Sequence, residues 1–368
     1  MVQRVTYGAL AIAVVFTVIA SDVAIARSMT ADSPVWGTFG GRSIGGLLER
    51  GSTLPIVYLI ASLIGAREMV RLLRARGHRP HVIVAYPMIV VLVLSPWFAS
   101  AGWLGTTPVQ LEGLQWQIVW LLVAALATAS AAVLRREPET TFRDVGATSI
   151  VIFYLGFLTS FGVHLRCGYT MPGEDGAWLL LIALLVTKAS DIGAYLVGTV
   201  AGRHQLIPSI SPGKTVEGAI GGLVMSALVA LMFVHAETTT NAFVGVFSSD
   251  SIGGSNPTLQ SVSAEPDPPL LTFAKSIHAL AQDATARFAI AVDDGSLSPS
   301  IRALVFGLLL SLFGQIGDLF ESSFKRDARI KDSGHLIPSY GGILDLMDSP
   351  ALAVPLAWVL LTVVWGIV

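Results

Sequence analysis

One cysteine, Cys167, stands in 368 residues, and no Cys/His spacing of the zinc-binding kind accompanies it. An internal disulfide, a structural zinc site and a dithiol redox pair are therefore excluded. Charge is scarce as well: charged residues are 13% of the chain, against about 25% in a soluble domain. That is too little to clothe a globular surface of this size. Neither sign dominates, since 23 basic and 25 acidic residues leave a formal net charge of −2. The broad basic footprint of a nucleic-acid binder is absent, so any polyanion must be met locally. What fills the chain is apolar: 53% hydrophobic residues and a mean hydropathy of +0.69. The 36 glycines suit membrane helices, where small residues let backbones approach closely. The fold class that follows is all-α, a polytopic integral membrane protein.

Apolar runs near the ~20 residues needed to cross the hydrocarbon core number nine, at about 5–26, 52–66, 82–99, 116–134, 146–163, 177–200, 218–235, 301–317 and 350–368. The second is short and runs on into Arg67 and Glu68, whose long stems can snorkel. Alternate connecting segments differ in basic content, with fifteen Lys and Arg on one side and seven on the other. The richer side is cytoplasmic by the positive-inside rule, which puts the N-terminus inside and the C-terminus outside. Arg4, an apolar run and Ala24-Ile25-Ala26 also resemble a signal peptide, against which stands the length of the run.

The chain divides into N-terminal membrane helices (1–176), two spans joined by a polar loop (177–235), a polar extracytoplasmic insertion (236–300) and a C-terminal helical part with a charged motif (301–368). The insertion is rich in Ser, Asp, Pro and Gly, with one amphipathic helix expected around 270–291.

Ionisable residues within or beside membrane helices are costly, so each marks a candidate site. Lys188, Asp191 and Tyr195 fall at i, i+3 and i+7 and share a helical face; taken alone, they read equally well as an internal ion pair. The following loop contains Ser211-Pro212-Gly213-Lys214-Thr215-Val216-Glu217-Gly218. It is no P-loop, because the position five before Gly213 is Pro208. It still sets exposed N–H groups, a lysine and a hydroxyl at a helix start, which suits a phosphate chain. Asp318, Glu321, Ser322 and Lys325 share another face at i, i+3, i+4 and i+7. A run of charge follows through Arg326, Lys331 and Asp332 to His335, and then Asp345 and Asp348 sit one turn apart. Carboxylates clustered at a basic, phosphate-sized site are a usual way to hold Mg²⁺. The residues reach metal-dependent phosphoryl or nucleotidyl transfer at the cytoplasmic membrane face, without naming the substrate.

Two blocks carry a resemblance. Lys188-x-x-Asp191-x-Gly193-Ala194-Tyr195 with Ser211 to Gly218 is the first. The second is Ser322-Ser323-Phe324-Lys325-Arg326, Lys331-Asp332-Ser333-Gly334-His335-Leu336-Ile337-Pro338 and Tyr340-Gly341-Gly342-Ile343-Leu344-Asp345-Leu346-Met347-Asp348. Together they resemble the integral-membrane phosphatidate cytidylyltransferases, also called CDP-diacylglycerol synthases. The likeness covers about 185–235 and 305–360, and 236–300 not at all. Two positions depart from the family signature: Tyr340 stands where it has His, and Leu346 where it has Arg. Losing that arginine removes a permanent cation beside the carboxylates.

The resemblance implies transfer of CMP from CTP to phosphatidic acid in phospholipid biosynthesis, in the cell (inner) membrane with the active site facing the cytoplasm. It implies Mg²⁺, as one or two divalent ions and optionally a monovalent one, held by Asp318, Asp345 and Asp348 with Glu321. Ser211, Gly213, Lys214, Thr215 and Glu217 would bind the nucleotide. Lys325, Arg326 and Lys331, with Asp332, would meet the lipid phosphate or pyrophosphate, and Lys188 and Asp191 would assist. A homodimer in membrane lipid is also implied, and nucleic acid is not a partner. The competing readings are a CTP-dependent polyprenol or phytol kinase, a catalytically inactive paralogue, and a transporter using Lys188 and Asp191.

Overall fold

The computed structural model is mostly helical and describes residues 2–28, 38–39, 42–104, 113–167, 175–235, 298–330, 333–334 and 341–365. The amphipathic helix expected around 270–291 lies outside the described residues, as do Lys331, Asp332, His335 and Tyr340.

Helix α1 (Val2–Ser28) precedes a minimal hairpin of β1 (Thr38–Phe39) and β2 (Arg42–Ser43) and the short α2 (Ile44–Glu49). Then come α3 (Thr53–Ala75), α4 (Val82–Ser100) and α5 (Gly113–Arg135). Next, α6 (Thr141–Ile152) continues through a π-helical turn into α7 (Thr159–Cys167). Helix α8 (Asp175–Ala201) leads to an antiparallel hairpin, β3 (Gln205–Ile207) and β4 (Ser211–Thr215), which runs straight into α9 (Val216–Val234). The last elements are α10 (Pro299–Asp327), the short α11 (Ile343–Met347), and α12 (Pro350–Trp358), which continues as a π-helical segment to Val364.

Among the described residues, seven helical segments are long and apolar enough to cross a membrane: Val82–Ser100, Gly113–Arg135, Pro138–Cys167, Gly176–Ala201, Val216–Val234, Pro299–Asp327 and Ile343–Val364. They coincide with seven of the nine expected spans. In lipid every backbone N–H and C=O must be satisfied internally, which is why such runs become continuous helices. The other two expected spans fall on α1 and α3. In α3 the second half carries Arg67, Glu68, Arg71 and Arg74, so its apolar part ends early.

Helices α8, α9 and α10 pack against one another through small residues. Gly193 abuts the Gly221 backbone, Gly222 abuts Ser190 and Gln315, and Gly307 abuts Ala227. Close approach of this kind drives helix association where lipid offers no hydrophobic gain. A polar clasp joins the three: Ser190 Oγ and Ser311 Oγ are 2.6 Å apart, while Gln315 Nε2 donates to Ser311 Oγ and the Ala219 carbonyl, both at 3.1 Å. Around it lies a buried apolar cluster that includes Trp178, Phe306 and Leu310, and α3, α4 and the α6–α7 rod build a second around Met69, Ile89 and Leu155. Helix α1 is tied to this body by a fully buried ion pair between Asp22 and Arg166, with Asp22 Oδ1 also accepting from Leu54 N–H at 3.0 Å.

Candidate active site

Three lysines organise the polar groups where the second halves of α8 and α10 run beside the start of α9, α11 and residues 348–349. The i, i+3 spacing on α8 brings Lys188 Nζ to 2.9 Å from Asp191 Oδ2, and Asp191 Oδ1 accepts from Ser349 Oγ at 3.2 Å. Lys214, the penultimate residue of β4, reaches across to Asp318 Oδ2 on α10 at 2.6 Å. Lys325 bridges two carboxylates, Glu321 Oε2 at 2.5 Å and Asp345 Oδ1 at 2.6 Å.

Asp348 completes the group. Its Oδ1 accepts from Ser349 N–H at 2.6 Å, and its charge faces Lys188, Asp318 and Asp191. The approach of α10 to this segment depends on Gly317, where a Cβ would collide with the Asp348 carbonyl. Beneath it, the buried Tyr154 ring packs on Phe320 and Phe324.

The hairpin holds its shape by its own polar contacts. Thr215 caps α9, its Oγ1 accepting from Gly218 N–H at 3.1 Å, as Thr does at helix starts. Glu217 accepts from the backbone N–H groups of Arg203 and His204 at 3.0 and 3.2 Å and pairs with His204 Nδ1 at 2.6 Å. Arg326 Nε donates to the Ile210 carbonyl at 3.0 Å, tying the hairpin turn to the end of α10. At Gly213 a Cβ would meet nothing within 4 Å, so the space beside β4 is open.

The structure thus brings together Lys188, Asp191, Lys214, Asp318, Glu321, Lys325, Asp345 and Asp348 from blocks of sequence more than 100 residues apart. It divides the four carboxylates expected as one metal set. Glu321 and Asp345 converge on Lys325, whereas Asp318 and Asp348 face Lys214 and Lys188. Asp345 is saturated, its Oδ2 accepting from Ser333 N–H at 3.1 Å, Ser333 Oγ at 2.6 Å and Gly342 N–H at 2.7 Å. Thr215 and Glu217 serve the hairpin's own scaffold, and Arg326 braces its turn through Nε. Glu68 is the residue that sequence reasoning missed. Taken there for a snorkelling side chain, it is buried and accepts from the start of α11, at Ile343 N–H (3.2 Å) and Leu344 N–H (2.9 Å). Its one signal in the sequence was a carboxylate set inside an apolar stretch.

Converging lysines and carboxylates at the mouth of a strand-to-helix turn have the chemistry to meet a phosphate. The sequence profile of the cytidylyltransferase family matches residues 35–364. The chain belongs to the cytidylyltransferase family. It is similar to the phosphatidate cytidylyltransferase of Staphylococcus haemolyticus, 28% identical over 321 residues that cover 86% of this chain and 92% of the relative. The same coverage holds for the Staphylococcus aureus protein of that name (28%) and the Staphylococcus epidermidis one (26%). The family resemblance carried by the two motif blocks is borne out, and the chain is a membrane-embedded nucleotidyltransferase.

In this cytidylyltransferase five carboxylates (Asp191, Asp318, Glu321, Asp345, Asp348) meet three ammonium groups (Lys188, Lys214, Lys325). The surplus of negative charge suits a divalent cation. Among the described residues no three His, Cys, Asp or Glu side chains are arranged as a ready-made metal cage. Mg²⁺ takes one or two protein carboxylates and fills its shell with water and substrate phosphates. Asp348 fits the part, since its Oδ2 accepts no hydrogen bond from a described residue.

Proposed function

We propose that the chain is a phosphatidate cytidylyltransferase working at the cytoplasmic face of the cell membrane. A phosphate oxygen of phosphatidic acid attacks the α-phosphorus of CTP, the bond from that phosphorus to the bridging oxygen breaks, and pyrophosphate leaves. The product is CDP-diacylglycerol. The observation that carries the reading is the joining of Lys214, at the hairpin leading into α9, to Asp318, beside Asp348 and Asp191. The names of relatives aligned over 86% of the chain supply the substrate class. The excess of Lys and Arg in alternate connecting segments supports the cytoplasmic side.

The attacking phosphate is ionised at neutral pH, so no general base is required; positioning and charge neutralisation carry the effect. Lys214 and the open backbone at Gly213 would receive the nucleotide's outer phosphates. Lys325, together with Lys331 and Arg326, would stabilise the lipid phosphate or the departing pyrophosphate. Asp318 and Asp348 would hold Mg²⁺, which when bound neutralises charge on the nucleotide phosphates. Lys188 keeps Asp191 in register beside them, and the acyl chains would lie in the bilayer between helices.

The test is purified protein in detergent with Mg²⁺, phosphatidic acid and α-labelled CTP, following label into the lipid and release of pyrophosphate, with Asp348→Asn in parallel. Labelled lipid that vanishes in the variant is the expected result. A phosphorylated alcohol with CDP as the by-product, formed when a polyprenol replaces phosphatidic acid, would establish a kinase instead. No incorporation beside an active control enzyme would establish an inactive paralogue, with Tyr340 and Leu346 as the departures to restore first.

A further inference from the structure

Glu68 lies on α3 between the exposed Arg67 and the buried Met69 and Val70, and is itself only 5% exposed. A carboxylate taken out of water costs several kcal/mol unless its oxygens are hydrogen-bonded. Here the bonds come from a segment about 275 residues further on: Ile343 N–H and Leu344 N–H, with Ser333 Oγ 3.2 Å away. The two glycines of that segment make room for it. A Cβ at Gly334 would stand 2.5 Å from Glu68 Oε1, and one at Gly342 would collide with Oε2. Gly341 beside them has φ +96°, a left-handed conformation that favours glycine.

The contacts continue in one line. Ser333 Oγ has a single proton, and its shorter contact is to Asp345 Oδ2 at 2.6 Å. Asp345 Oδ1 receives Lys325 Nζ at 2.6 Å, and Lys325 also holds Glu321, which is fully buried. The start of α11 therefore sits where Glu68 fixes it. Asp345 and Asp348, one turn apart, move with that start.

We infer that Glu68 is a positioning residue for the transfer reaction: through Ser333 and residues 342–345 it sets the Lys325–Asp345 pair and the approach of Asp348. The inference rests on the function proposed above. Groups that orient the residues around a reacting centre commonly change activity by about 10–100-fold when lost. A plain helix cap would change stability without coupling to Lys325.

The experiment compares full-length wild type, Glu68→Gln, Ser333→Ala, Asp345→Asn and the Glu68→Gln/Asp345→Asn double variant in lipid nanodiscs. Three readouts are taken: thermal unfolding, kcat and KM for CTP, and amide hydrogen exchange over 333–348. In Glu68→Gln, kcat should fall about tenfold or more with KM for CTP little changed, and exchange at 342–345 should quicken. The double variant should be no worse than Asp345→Asn alone, because both act on one unit. Should Glu68→Gln fail to fold, Ser333→Ala interrupts the same line from the far side and should lower kcat likewise. Wild-type kcat and exchange in a folded Glu68→Gln, or losses that multiply in the double variant, would overturn the inference. If wild type transfers no label, the proposed reaction falls and the positioning role with it; exchange at 342–345 would then report only whether Glu68 holds the start of α11, quickening in Glu68→Gln if it does and staying unchanged if it does not.

Discussion

Lys214 Nζ lies 2.6 Å from Asp318 Oδ2, so the lysine of the hairpin and a carboxylate of α10 hold each other across the site. Both side chains are about a quarter exposed, which leaves the pair open to an incoming anion. Under the proposed function, a nucleotide phosphate would compete for the lysine, and its arrival would free the carboxylate for a cation. The two variants should therefore differ in kind. Lys214→Met should raise KM for CTP about tenfold with a smaller fall in kcat, whereas Asp318→Asn should cut kcat about 100-fold, the scale seen when one transition-state contact is removed. Steady-state kinetics varying CTP at fixed phosphatidic acid would separate them. Equal losses in kcat with unchanged KM in both would refute the exchange of partners.

Gly317 lets α10 meet the carbonyl of Asp348, and it has no slack. Adding a methyl group must push the 348–349 turn away, and Asp348 with it. Gly317→Ala should lose activity at least tenfold, as a misplacement of about 1 Å can, while insertion and helix content stay normal. Gly77 is the control, with open space around a Cβ. Its φ of +79° makes Gly77→Asn gentler than Gly77→Ala, and Gly77→Asn should leave kcat untouched.

Much of this was legible in the sequence because membranes make sequence blunt. A run such as Val216–Val234 has no alternative in lipid to a helix, and the i, i+3 and i, i+4 spacings of Lys188–Asp191 and Glu321–Lys325 announce pairs on one face. The contacts that close the site are of another kind. Nothing local to Lys214 names Asp318 as its partner, and nothing near Glu68 points to Ile343 and Leu344, because those pairings are fixed by how helices stack. The hairpin was hidden for a different reason. Strands of three and five residues, one containing Pro212 and Gly213, carry no period of their own and read as a loop.

Asp22 and Arg166 form a buried ion pair that fastens α1 to α7, and Asp22 also accepts from the backbone at the start of α3. Removing one member leaves a charge without its partner, at a cost of about 3–5 kcal/mol. Arg166→Met should therefore lower the midpoint of chemical unfolding in detergent sharply, and adding Asp22→Leu should restore part of the loss. If α1 were dispensable to the fold, both variants would unfold like wild type.

The ends of the polar segment between α9 and α10 meet: His235 Nε2 and Ser300 Oγ are 2.9 Å apart. Two adjacent, antiparallel helix ends need only a short connection, and a linker of about eight residues reaches well over 20 Å if extended. Replacing 238–297 with a Gly/Ser linker of that length should preserve the α8–α9–α10 packing, because its contacts through Gly193, Gly222, Gly307 and Gln315 all lie within the helices. The shortened protein should keep at least about half the wild-type kcat, since the length of a connection weighs little on stability. Activity per inserted molecule is the quantity to compare. A shortened protein that inserts and unfolds like wild type yet transfers no label would show that the segment takes part in the reaction.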